Sequence, residues 1–121
     1  MIKKEFKVPI YDFRIIYIEI ESKEDAKKIE PILQRLRFDE DDMIEIKENI
    51  EKKRYNGGHL YRLVKHKLFI VLIYPSSSVN ERRKTISHEK RHIEDRILEA
   101  CLVSDMEAAA YLAGFLSEKI Y

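Results

Sequence analysis

The sequence predicts an α+β domain: a small antiparallel β-sheet packed by helices, with a C-terminal helical hairpin. Three observations predict it. Residues 6–20, 59–64 and 67–74 are rich in isoleucine, valine, tyrosine and phenylalanine, with alternation where Ile16, Ile18 and Ile20 stand against Tyr17 and Glu19. Ala26, Ile29, Leu33 and Leu36 recur at three- and four-residue steps, the period of an amphipathic helix. Residues 79–121 read as two helices, each opened by a serine with a glutamate three residues on: Ser78 with Glu81, and Ser104 with Glu107. At 121 residues the chain supports one core and one domain. Its parts are an N-terminal strand with polar helices (1–58), a β-hairpin (59–75) and the helical hairpin (79–121).

Taken in order, residues 6–20 read as one strand, bent near Pro9. Ser22 offers an N-cap to the first helix, and Pro31 predicts a kink or an early break, because proline lacks the amide the helix needs. A second polar helix covers residues 42–53. Asn56, Gly57 and Gly58 tolerate positive φ and so mark a turn, and the short link between 59–64 and 67–74 makes those runs a hairpin. Pro75 and the serines at 76, 77 and 78 end the sheet. Helices follow at 80–100 and 105–119. Ala109, Ala110, Ala113 and Gly114 are small enough to bring the two helices close, while Met106, Phe115, Leu116 and Ile120 supply apolar bulk. On the first of these helices Ile86, Ile93 and Ile97 form a core stripe, and His88, His92, Asp95 and Glu99 fall on a separate one.

Lysine and arginine number 23 against 22 acidic residues, a net charge of +1. That balance removes any global electrostatic case for nucleic acid or an anionic membrane as partner. Cys101 is the only cysteine, which excludes an intrachain disulfide and fits a reducing compartment, so the cytoplasm is the expected location. Residues 1–8 alternate lysine with apolar side chains and lack the apolar stretch of a secretory signal. The longest apolar run, 68–74, is too short to span a bilayer.

Chemistry enters with His88, Glu89 and His92, which spell H-E-x-x-H. Histidines four apart on a helix are neighbours, so both imidazoles can converge on one ion; Glu89, offset by about 100°, can address water beside it. Zinc sites that perform chemistry use three protein ligands, so a third should lie beyond the motif. Glu107 is the candidate, with Asp95, one turn after His92, in reserve. Tyr111, one turn after Glu107, is the candidate donor to a developing oxyanion.

The Asn56-Gly57-Gly58 turn, the apolar strand, the HExxH helix and the EAxAYLxG helix beginning at Glu107, in this order, resemble small metallopeptidase-like proteins of bacteriophages and bacterial mobile elements, of gluzincin type. The resemblance covers residues 56–121. It implies a Zn2+ ion held by His88, His92 and Glu107, with Glu89 as general base in hydrolysis of a peptide or protein substrate. Strand 67–74 is the expected edge for an extended substrate. Two departures stand out. Lys90 and Arg91 occupy positions more often apolar in buried zinc helices, which predicts an exposed helix side and a wet site. In an ideal hairpin turning near Leu102, the residue level with His92 is nearer Ala113 than Glu107.

The competing function is a non-catalytic partner-binding module of a phage or mobile element, in which the HExxH helix is structural or degenerate and Glu89 pairs with Arg82 or Lys90. Elsewhere the expectations are structural. Cys101 reads as a small buried hydrophobe and His59 and His66 as surface residues. Residues 39–42 read as helix capping, and Arg82, Arg83 and Lys84 as a solvated face.

Overall fold

Residues 6–20, expected as one bent strand, form parts of two. The computed structural model describes residues 1–52, 57–63 and 67–121, so Asn56 of the expected turn and His66 lie outside the described residues. In order the elements are β1 (Ile2–Val8), β2 (Phe13–Glu19), α1 (Asp25–Arg35), α2 (Glu40–Glu51), β3 (Gly58–Leu63), β4 (Leu68–Ile73), α3 (Val79–Ala100) and α4 (Met106–Ile120). Pro9 does not bend one strand; it opens a tight reversal. Its carbonyl accepts from Tyr11 N–H at 2.7 Å, Val8 carbonyl accepts from Asp12 N–H at 3.1 Å, and Ile10 and Asp12 take φ of 71° and 61°. β1 therefore folds back antiparallel on β2, from Ile2 opposite Glu19 to Val8 opposite Phe13.

The sheet is four-stranded, in the order β1-β2-β4-β3. Its outer pairs are antiparallel, as expected, but the central pair is parallel, with Arg14 opposite Leu68 and Glu19 opposite Ile73. Parallel pairing requires a long crossover, and α1, α2 and β3 provide it. Both central strands are covered on two faces. Ile16, Ile18, Ile70 and Leu72 face α1 and α2 through Ile29, Leu33, Ile46 and Ile50, while Ile15, Tyr17, Phe69, Val71 and Ile73 face α3 and α4. Double burial is why β4 is apolar at every position, a pattern of central strands.

Helix α1 begins at Asp25, not beside Ser22, and Glu24 at its N-cap makes no side-chain cap. Asp25 holds the entry instead. It is 2% exposed, and its Oδ2 accepts from the backbone N–H groups of Glu21 (2.9 Å) and Ser22 (3.3 Å). Pro31 lies within α1 without ending it; Pro31 and Lys27, whose carbonyl loses its amide partner, both face solvent, where water can replace the bond. Asp39 caps α2 by accepting from Asp41 N–H at 2.8 Å, which accounts for the start of the acidic run at 39–42.

The C-terminal helical hairpin is present. Ser78 Oγ caps α3, accepting from Glu81 N–H at 3.1 Å. At α4 the cap is Asp105, accepting from Glu107 N–H at 3.0 Å, where Ser104 was expected. Ile86, Ile93 and Ile97 are buried against Leu112, Leu116 and Ile120. The small residues are not all at the seam: Ala110 and Gly114 face solvent, and a Cβ on Gly114 would meet nothing within 4 Å. Met106 is 85% exposed and Cys101 is exposed too, because both fall at the hairpin's outer end, beyond the core.

The close approach occurs elsewhere, at Gly58. A Cβ there would stand 2.9 Å from Glu89 Cγ, 3.0 Å from Leu72 O and 3.1 Å from Thr85 Cγ2. No described glycine has positive φ, so Gly58 serves by lacking a side chain and not by turning the chain.

Two stability predictions follow from these contacts. Gly58→Ala should cost about 1–3 kcal/mol in urea denaturation, because a strand carbonyl and a packed helix both block the added methyl. For Asp25, burial opposes ionisation, but the backbone N–H groups of Glu21 and Ser22 help bring its pKa below the ordinary value. A lowered folded pKa means that the folded state binds fewer protons. Its stabilisation is therefore present above the unfolded value of about 3.9 and is lost as pH falls through the folded one. Asp25→Ala should lose about 1–3 kcal/mol at pH 7, and its gap from wild type should narrow below about pH 4.

Candidate metal centre

Helix α3 is fixed on three sides, and each fixture sets the direction of a motif residue. At its start, Arg82 binds Glu19 at the end of β2, and Tyr17 Oη donates to the same Glu19 Oε1 at 2.6 Å. Burial, reinforced by the adjacent Glu19 carboxylate, raises the Tyr17 pKa, so the phenol stays protonated and remains a donor. Against β3 and β4, the Gly58 contact receives Thr85 and Glu89. Toward α4, Lys90 pairs with Glu94 and its Nζ lies 3.5 Å from Ala113 carbonyl, while Ser87 Oγ and Tyr121 Oη are 2.7 Å apart.

Lys90 is thus largely buried and ion-paired, whereas an exposed lysine was expected. Glu89 pairs with neither Arg82 nor Lys90, since Arg82 is taken by Glu19 and Lys90 by Glu94. At 6% exposure, Glu89 makes no hydrogen bond or ion pair with any described residue.

His88 and His92 come together. Their Nε2 atoms are 3.0 Å apart and the rings stand nearly perpendicular, at 88°. Alone, one imidazole donates and the other accepts. For a tetrahedral ion with Zn–N bonds of 2.0–2.1 Å, two ligand nitrogens stand about 3.3 Å apart, so the observed spacing is within a few tenths of an ångström of the required bite. That spacing suits two ligands of a tetrahedral ion, one short of the three that a catalytic zinc takes from protein. His88 is exposed and His92 half-buried, consistent with a site open to water.

The remaining candidates are placed differently. Leu112, Leu116 and Ile120 define the buried side of α4. Glu107 falls about 180° from Leu116 around that helix and is exposed, and Tyr111 is 56% exposed on the same outer side. The structure does not bring Glu107 or Tyr111 to the imidazoles, because the apolar period of α4 turns them outward. Asp95 pairs with Arg91, Nε to Oδ1 at 3.2 Å. Among the described residues no group of three His, Cys, Asp or Glu side chains is placed to hold a metal ion. His59 lies face to face with Tyr61, ring centroids 4.2 Å apart, with Nδ1 3.9 Å from Glu45 Oε1. Burial, together with Asp39 and Glu45, raises the pKa of Asp42 nearby, while His59 opposes the rise. Lys84 leans on Glu81 at 3.4 Å, so two of the three basic residues at 82–84 have acidic partners.

Beside Glu89 and His92 lies a depression of about 490 Å³ lined by Gly58, His59, Leu60, Arg62, Glu89, His92 and Arg96. Its wall is β3, the edge of the sheet; β4, expected as the edge, is paired on both sides. Sequence reasoning missed Gly58, Arg62 and Arg96 as part of this site. A glycine opening a strand is itself a sign of close approach, but beside Asn56 and Gly57 it reads as a turn.

Neither a family model, nor a characterised protein, nor a solved structure matches the chain at a significant level. No described helix is long and apolar enough to cross a membrane.

Proposed function

We propose that the chain is a zinc-dependent, metallopeptidase-like hydrolase. The observation that supports this most is the imidazole pair, with its Nε2 atoms 3.0 Å apart beside Glu89, which pairs with no described residue. His88 and His92 hold the ion. Zinc bound there supplies Lewis acidity toward a carbonyl and lowers the pKa of water to about 7. Glu89 takes the proton of the attacking water and passes it to the leaving amine. Arg82 and Lys90 do not compete for Glu89, since they pair with Glu19 and Glu94. Glu107 is the proposed third ligand on the resemblance alone, since here it faces outward from α4. The substrate is a peptide or protein.

One observation favours the alternative of a partner-binding module without catalysis: Glu107 and Tyr111 face outward from α4, away from the pair. Metal content and activity separate the two. One zinc per chain is expected in untagged protein, with at least tenfold weaker binding in His88→Ala and His92→Ala and comparable weakening in Glu107→Ala. Glu89→Gln should keep the zinc while losing hydrolysis of a mixed-peptide substrate by about 10²-fold or more. Absence of zinc after reconstitution, or full activity in Glu89→Gln, would leave the module as the better reading. Retention of zinc in Glu107→Ala would remove that residue from the ligand set alone.

A further inference from the structure

The depression beside Glu89 and His92 is cationic at one end. α3 follows the antiparallel hairpin of β3 and β4 and packs on it, Gly58 lying against Thr85 and Glu89 at one point, with Arg62 and Arg96 lining the same hollow. Going from Gly58 to Arg62 along β3 and from Glu89 to Arg96 along α3 leads in each case away from that contact, so both guanidiniums belong to the far end. Arg96 is two helical turns beyond Glu89, about 10 Å along the axis. Arg62 is four strand positions beyond Gly58, about 13 Å.

Neither arginine is consumed by the fold. Arg62 is exposed and makes no ion pair with a described residue; its guanidinium lies 5.9 Å from the Phe69 ring. Arg96 is 53% exposed and, among the described residues, has an ion pair only with Glu99, at 4.0 Å, the outer limit of one. Neither one neutralises Glu89. The hollow therefore combines one carboxylate at the reacting end with two available guanidiniums at the other, and a guanidinium's planar fork matches a carboxylate.

β3 offers the means to hold a ligand along this axis. It is an edge strand, and an extended chain laid on it advances about 3.3 Å per residue, so about 10 Å is three residues. We infer that Arg62 and Arg96 form a carboxylate-binding subsite that selects peptides carrying an acidic side chain, or ending in a free carboxylate, about three residues from the bond at Glu89. This deepens the hydrolase reading and rests on it for the place of the reacting bond. The charge selection itself needs no metal.

The test is fluorescence anisotropy with short labelled peptides of one neutral sequence: fully neutral and C-terminally amidated, the same with one glutamate, the same with one lysine, and the same with a free C-terminus. Wild-type protein is titrated in EDTA, so that cleavage and zinc play no part. The glutamate or free-carboxylate peptide should bind about tenfold more tightly than the neutral one, and the lysine peptide more weakly. Which of the two acidic peptides gains identifies the source of the carboxylate. In Arg62→Gln/Arg96→Gln the advantage should vanish while the neutral peptide binds as before. Both side chains are exposed, and an unchanged melting temperature checks that the fold is intact. Equal binding of all four peptides, binding of none, or a preference surviving in the double variant would overturn the subsite. Loss of zinc binding with the acidic preference intact would overturn the hydrolase reading and leave the subsite standing.

Discussion

The candidate site depends on one steric fact, the absence of a side chain at Gly58. Because no Cβ intervenes, α3 comes within van der Waals distance of β3 and β4 at Thr85 and Glu89. Any methyl there has to displace Glu89, Thr85 or the Leu72 carbonyl, and the last of these is held in the sheet. The approach buries Glu89 without giving it a partner among the described residues, and the helical period then sets His88 and His92 at the helix's outer edge, one turn apart. The ends of α3 reinforce the placement. Arg82 bolts the first turn to Glu19, and Lys90 with Glu94 fills the seam toward α4. Arg82 and Lys90, the two cations of its own helix expected to pair with Glu89, are thereby engaged elsewhere.

The sheet makes that placement rigid. Two central strands buried on both faces give α3 and α4 one wall and α1 and α2 the other, so the motif helix rests on Phe69, Val71 and Ile73 and not on a loop. A site built on such a platform needs little reorganisation when it binds a ligand. The hollow opens along β3, at the sheet's edge, so Glu89 and His92 lie beside an edge strand.

The α+β class, the β3–β4 hairpin, the C-terminal helical hairpin and the core stripe of Ile86, Ile93 and Ile97 were all legible, since each rests on local periodicity. The parallel pairing of β2 with β4 was not, because it joins segments separated by two helices and a strand. Its one local trace, the unbroken apolar run of β4, is shared with any doubly buried strand. The break at Pro9 was missed because Ile10 and Tyr11 look like strand residues; the turn is made by their backbone, with Ile10 at positive φ despite its branched side chain. At the site, the His88 and His92 pairing followed from spacing alone. The placement of Glu107 did not, since it depends on which way α4 rotates about its axis. The small residues Ala109, Ala110, Ala113 and Gly114 offered a second packing face beside that of Leu112, Leu116 and Ile120, so the sequence left two rotations open. Lys90 shows the same limit from the other side: its charge suggested solvent, and a glutamate one turn away allowed it to be buried.

The central claim is that His88 and His92 close on a single ion through the Nε2 atoms that the helix holds side by side. Zinc K-edge X-ray absorption on the reconstituted protein measures this directly. The account predicts a nitrogen and oxygen shell at about 2.0–2.1 Å with outer-shell scattering from two imidazoles, reduced to one in His92→Ala. Zinc bound without imidazole scattering, or a spectrum that His92→Ala leaves unchanged, would contradict it.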